Sequence, residues 1–137
     1  MPSELISFMH ACLDDEAALA QAASPGPWNI NAESDEVLAV DGIAVADGFA
    51  LSGRQLRATT EHIARHDPAR ALREIEVKRQ TLADLAAAEE RMDRASRDQD
   101  TAGYNAARAE WTVLKRIVRR GAAVYADRPG YREEWRP

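Results

Sequence analysis

Two histidines, His62 and His66, stand four residues apart and therefore share one face of a predicted helix. Two imidazoles at this spacing can bind one zinc ion if a third ligand comes from elsewhere in the chain. The remaining histidine, His10, is the candidate third ligand. The alternative is structural, with both histidines packed at a helix junction or bonded to backbone carbonyls. Both interpretations stay open. In the first, the protein binds a metal or is a metal-dependent enzyme.

Other catalytic motifs are absent from the sequence. Cys12 follows His10 closely and could be a nucleophile, but it stands mid-helix among apolar residues, where an inert core thiol is the alternative. The sequence contains no glycine-rich phosphate loop and no serine in a nucleophile elbow. We predict no cofactor, and the sequence favours a non-enzymatic protein.

A basic stripe on the last predicted helix is a candidate phosphate-binding surface. It consists of Lys115, Arg116, Arg119 and Arg120. Such a stripe can bind nucleic acid, yet the chain carries a net charge of −5 and no aromatic residues alternate with these cations. The stripe can instead be solvated, or it can pair with acidic residues, so we do not expect a nucleic-acid partner.

The aromatic pair Tyr131 and Trp135 near the end of the sequence lies four residues apart, so one helical turn would place both rings on one face. Two aromatic rings can anchor a tail to the core. Aromatic residues are also enriched in protein interfaces. The pair is therefore either docked on the fold or a contact for a protein partner.

The charges divide unevenly along the 137 residues. Residues 1–53 contain nine acidic residues and no lysine or arginine, whereas residues 54–137 carry a net charge of +4. This length predicts one domain. We expect an acidic helix and small sheet over 1–53, attracted to a helical hairpin and tail over 54–137 or to a second chain.

Apolar periodicity and turn residues predict the elements of an α+β fold. The prediction is a helix over 4–22, three short strands over 28–31, 37–40 and 43–46, a short helix over 56–66, helices over 68–94 and 102–125, and a docked tail. Asp41-Gly42 predicts a hairpin turn between the last two strands. Asp67-Pro68 predicts an N-cap followed by a first-turn proline. The two long helices should form an antiparallel hairpin.

Three segments together resemble a known family. They read ASPGPW over 23–28, EHIARHDPARALREIEVKR over 61–79 and YADRPGYREEWRP over 125–137. The set is similar to an uncharacterised family of small actinobacterial and actinophage proteins, and more loosely to phage proteins of the Ead type. The resemblance covers nearly the whole chain and implies no activity. The sequence departs from the family pattern at Arg128, where that pattern has histidine, which weakens a metal site in the tail.

Cysteine usage and hydropathy suggest where the protein acts. A single cysteine is typical of a reducing compartment, and no apolar run is long enough to span a bilayer. We expect a cytoplasmic protein without a signal peptide or membrane partner. The sequence best fits a protein-interaction module of phage or mobile-element type, whose partner is another protein or a second copy in a homodimer.

Overall fold

The computed structural model describes residues 3–137 and is an α+β structure, as the sequence predicts. Its elements are α1 (Glu4–Ala22), β1 (Asn29–Ile30), β2 (Glu36–Leu38), β3 (Ala44–Asp47), α2 (Gly53–Arg65), α3 (Pro68–Arg97) and α4 (Thr101–Ala122). Short 3-10 turns follow at Ala123–Tyr125 and Glu133–Trp135. None of the helices in residues 3–137 combines the length and apolar character needed to cross a membrane.

The chain divides into two compact units. One runs up to Asp14 and resumes at Val77–Pro137, and the other is Asp15–Glu76. The single domain expected from the sequence, with an acidic part over 1–53 and a basic part over 54–137, stays a prediction.

The smaller unit contains the three-stranded antiparallel sheet, in the order β1-β2-β3. Val37 pairs with Ile30 on one side and with Ala46 on the other, and its side chain is fully buried. The predicted hairpin turn is confirmed, because Gly42 has a φ of +83° and donates its N–H to the Ala39 carbonyl at 2.9 Å. Glycine adopts this backbone conformation without strain.

Helix α2 covers the sheet in the same unit. It begins at Gly53, three residues earlier than predicted, because the chain turns directly into the helix after Ser52 in extended conformation. Thr60 is buried, and its hydroxyl lies 3.0 Å from both the Ser34 and the Leu56 carbonyls. Its single hydroxyl proton can be donated to either carbonyl. The threonine thus provides a hydrogen-bond donor to a backbone carbonyl where the helix meets the sheet.

The larger unit is helical. The buried apolar residues of its helices are Leu5, Ile6, Met9, Cys12 and Leu13 of α1, Leu82, Leu85, Ala88 and Ala95 of α3, and Ala107, Val118 and Ala122 of α4. Cys12 is therefore a core thiol that solvent does not reach, in line with the structural alternative.

Helices α3 and α4 pair as predicted. Glu89 of α3 accepts a hydrogen bond from the Trp111 indole at 3.3 Å, and Arg91 pairs with Glu110. Residue numbers rise along one helix as they fall along the other, so the pair is antiparallel. Asp100 caps α4 by accepting a hydrogen bond from the Gly103 N–H at 2.9 Å.

Candidate functional site

His62 lies in the last turn of α2, His66 is the C-cap residue of that helix, and both are exposed. Their ring centroids are 4.3 Å apart, and His66 Nδ1 lies 2.7 Å from the His62 carbonyl. A bond to that carbonyl leaves Nε2 as the remaining nitrogen of His66 for a ligand. His10 belongs to the other compact unit. Within residues 3–137, no group of three or more His, Cys, Asp or Glu side chains is placed to hold a metal ion.

Asp67, directly after the histidine pair, is a buried carboxylate. Its Oδ1 accepts the Arg70 N–H at 2.8 Å, so the predicted N-cap is confirmed. Its Oδ2 accepts the Trp28 N–H at 2.9 Å. A Cβ at Gly26 would lie only 2.7 Å from Oδ2, so the loop before Trp28 approaches this close only with glycine. Asp67 thereby joins that loop to the start of α3.

The aromatic tail folds back onto its own unit. Trp135 is 7% exposed, and its ring packs on Phe8 with a centroid distance of 5.2 Å. Tyr131 stands edge-on to Trp135 at 5.8 Å and to Phe8 at 6.0 Å. The structure thus brings the two predicted interaction residues together, with Trp135 in the docked arrangement.

The basic stripe separates into two engaged and two exposed side chains. Arg119 donates to the backbone carbonyls of residues 134, 135 and 136 at 2.5 to 3.2 Å and so fastens the tail. Lys115 Nζ lies 4.5 Å from the centroid of the Trp111 ring, a cation–π contact. Arg116 and Arg120 are exposed to solvent.

An exposed aromatic residue stands in the other unit. The side chain of Phe49, two residues beyond β3, is 96% exposed. It borders a cleft of about 270 Å³. The cleft is lined by Asp35, Glu36, Asp47, Gly48, Phe49, Leu51 and Leu56. We call these seven residues the Phe49 surface.

Hydrogen bonds shape the turn that carries Phe49. The Gly48 N–H donates to the Asp35 carbonyl at 2.9 Å, and the Leu51 N–H donates to the Gly48 carbonyl at 2.8 Å. Asp47 Oδ1 accepts the Phe49 N–H at 3.0 Å. A Cβ at Gly48 would lie 2.1 Å from Leu56 Cδ1, so a side chain at this position would require the Leu56 side chain to move. The turn therefore holds Phe49 in a defined position.

The Phe49 surface is acidic. It contains the carboxylates of Asp35, Glu36 and Asp47, and residues 1–53 include no lysine or arginine. Across the described part of the chain, no ion pair joins any of these three carboxylates to a basic side chain. The three carboxylates that line the cleft beside the Phe49 ring favour cations there.

One protein family matches the chain over nearly its whole length. The chain belongs to a family of unknown function, DUF6221, whose model matches residues 2–137. No curated protein matches the chain, and no solved structure does. In this DUF6221 chain, the first two recognised segments meet at Asp67, and the third forms the tail that Arg119 holds. The family-like motifs thus have structural roles that their residues explain.

The predictions from the sequence did not include Phe49, which stands between the turn sequences Asp47-Gly48 and Ser52-Gly53. The available signal was an aromatic residue between two turn sequences, in a stretch without any basic residue. Thr60 was missed as well, since a threonine in a helix gives no sign of a carbonyl partner 26 residues away.

Proposed function

We propose that this DUF6221 chain is a non-enzymatic protein-interaction module that docks a cationic partner protein on the Phe49 surface. The observation that supports it is the 96% exposure of Phe49 on a hydrogen-bonded turn. Exposing an aromatic ring to water is unfavourable, and aromatic residues are enriched among the residues that dominate binding energy in interfaces.

The charges around Phe49 indicate which kind of protein segment would bind there. Asp35, Glu36 and Asp47 favour lysine or arginine at the rim of the interface, and the Phe49 ring favours an apolar pocket at its centre. An arginine can also stack on the ring itself. Charge complementarity of this kind speeds association and weakens as salt rises. The partner is therefore a basic protein segment with apolar side chains.

The wider setting of the proposal comes from the sequence. The family resemblance supports a phage or mobile-element protein of actinobacteria, and the single cysteine supports the cytoplasm as its compartment. Finding the genes of family members inside prophages would support that setting. Finding them only among conserved chromosomal genes would contradict it without bearing on the Phe49 surface.

A peptide selection tests the proposed surface directly. The full chain is immobilised, a random peptide library is displayed against it, and the recovered peptides are sequenced. We expect peptides rich in arginine or lysine and containing apolar residues. Their affinity for the chain should fall at least tenfold in Phe49→Ser and should decrease with added salt.

Val40→Ser is the matched control, because Val40 is also an exposed apolar residue of the sheet region, 58% exposed. It should bind the selected peptides like the unchanged protein. Peptides without a basic bias, or equal binding to Phe49→Ser and to the unchanged protein, would reject the Phe49 surface as the docking site.

A further inference from the structure

The histidine pair His62 and His66 stands where α2 ends, and both rings are exposed to solvent. Backbone hydrogen bonds fix its position, because His62 is part of the helix and the His66 N–H donates to the Ile63 carbonyl at 3.1 Å. The two ring centroids are 4.3 Å apart, with 37° between the ring planes. The end of the helix therefore holds two imidazoles side by side in an open place.

The hydrogen bond made by the His66 ring selects one tautomer of that ring. Its Nδ1 lies 2.7 Å from the His62 carbonyl oxygen, which can only accept a hydrogen bond, so Nδ1 carries the proton. In the neutral imidazole, Nε2 then holds a lone pair. Histidines that bind metal ions commonly donate their other ring nitrogen to a backbone carbonyl, because this bond fixes the ring and raises its basicity. His66 is thus arranged as a metal ligand with Nε2 as its donor atom.

The separation of the two rings fits binding to a single ion. Imidazole nitrogens coordinate such ions at about 2.0 Å, and two imidazoles at a right angle around one ion place their ring centroids about 4.4 Å apart. The observed distance of 4.3 Å is close to this value. His62 is exposed, so its ring can turn a nitrogen toward the point that His66 Nε2 faces. One ion can therefore bridge the two histidines.

The charges around the pair are compatible with a cation. The C-terminal end of a helix carries partial negative charge, and α2 ends at Arg65. The Arg65 guanidinium lies 2.7 Å from the Glu61 carboxylate, so its positive charge is balanced locally. Asp67 is buried and directs both carboxylate oxygens to backbone N–H groups. Among the residues that the structure describes, no third His, Cys, Asp or Glu completes a metal-binding group, so the chain offers two ligands.

We propose that His62 and His66 form a two-histidine site for a divalent ion of a late first-row transition metal, with water in the other coordination positions. Imidazole suits Cu²⁺, Ni²⁺ and Zn²⁺, whereas Mg²⁺ and Ca²⁺ prefer oxygen ligands. The general order of affinities places Cu²⁺ above Ni²⁺ and Zn²⁺. The site shares no residue with the Phe49 surface. Each of the two proposals can therefore fail without the other.

Calorimetric titration of the untagged full chain with the metal chloride alone is the first test. The unchanged protein should bind one Ni²⁺ per chain, bind Cu²⁺ more tightly, and give no heat of binding with Mg²⁺. His62→Gln removes one imidazole and keeps the backbone carbonyl to which His66 donates. Its affinity for Ni²⁺ should fall by about tenfold or more, and His66→Gln should show a similar loss.

His10→Gln is the matched control for the titration. His10 is the remaining histidine of the sequence, is also exposed, and belongs to the other compact unit. This variant should bind Ni²⁺ like the unchanged protein. Circular dichroism checks that every variant is folded, which is expected because the three positions are exposed. Absence of Ni²⁺ binding, two weakly bound ions per chain, or undiminished affinity in folded His62→Gln would overturn the proposal.

NMR of the ring nitrogens then identifies the donor atoms. Without metal, long-range proton–nitrogen spectra should show the His66 proton on Nδ1. Zinc chloride, which is diamagnetic, should shift Nε2 of His66 and one ring nitrogen of His62 together and leave His10 unchanged. A His66 proton on Nε2, or a zinc-dependent shift confined to one histidine, would refute the two-histidine site.

Discussion

Trp135 and Phe49 are both aromatic side chains beside short turns, yet they differ completely in their surroundings. The Trp135 ring is 7% exposed, because Phe8 packs on it and Arg119 holds its backbone. The Phe49 ring is 96% exposed and has carboxylates for neighbours. The aromatic residues of the tail segment therefore hold the tail on the fold. Phe49, which lies outside the three recognised segments, is instead almost fully exposed.

Truncating the two aromatic side chains should give the largest contrast. Trp135→Ala should lower the free energy of unfolding by about 3 kcal/mol, since it removes a buried ring and leaves a cavity. Phe49→Ser should change it by no more than about 0.5 kcal/mol, as is usual for exposed positions. Urea unfolding measures both. A Phe49→Ser variant as unstable as Trp135→Ala would abolish the distinction between the two residues.

Arg119 and Arg120, which are neighbours in α4, differ in whether they contact the tail. Arg119→Ala should lower the free energy of unfolding by about 1 kcal/mol, because three backbone carbonyls lose a charged donor in a partly exposed place. Arg120→Ala, its exposed neighbour, should have almost no effect. Limited proteolysis should cleave the tail of Arg119→Ala first. Equal stability and equal cleavage of the two variants would show that the tail does not depend on Arg119.

The smallest effect is expected from a pH titration of the tail. A hydrogen bond from Arg136, together with its positive charge, holds the pKa of the Glu133 carboxyl below its ordinary value of 4.5. A lowered pKa in the folded state stabilises the fold above pH 4.5, and that contribution is lost as the pH falls through the folded pKa. NMR titration should show a Glu133 midpoint below 4.5 that rises in Arg136→Gln. An unchanged midpoint in that variant would mean that the pair does not persist in solution.

Much of the fold follows from local sequence. The first helix occupies 4–22 as predicted, and Asp41-Gly42 turns as an Asp-Gly pair should. Asp67 caps α3, and Pro68 begins it. These features depend on residues close in sequence, whose preferences are strong. The start of α2 was placed late because glycine, here Gly53, is a poor local signal for a helix.

The site was harder to predict because it depends on residues that are distant in sequence. The bond from the Trp28 N–H to Asp67 spans 39 residues, and no local pattern indicates it. The burial of Trp135 requires Phe8 from the opposite end of the sequence. The exposure of Phe49 is equally invisible, because an aromatic residue near a strand suggests core until its neighbours are known.

The contact between Gly26 and Asp67 also constrains how this family can evolve. Any side chain at position 26 would collide with the Asp67 carboxylate, and any loss of that carboxylate would leave the Trp28 N–H without its acceptor. Substitutions at positions 26 and 67 should therefore depend on each other. Family members that lack the glycine should also lack the aspartate and have a different loop.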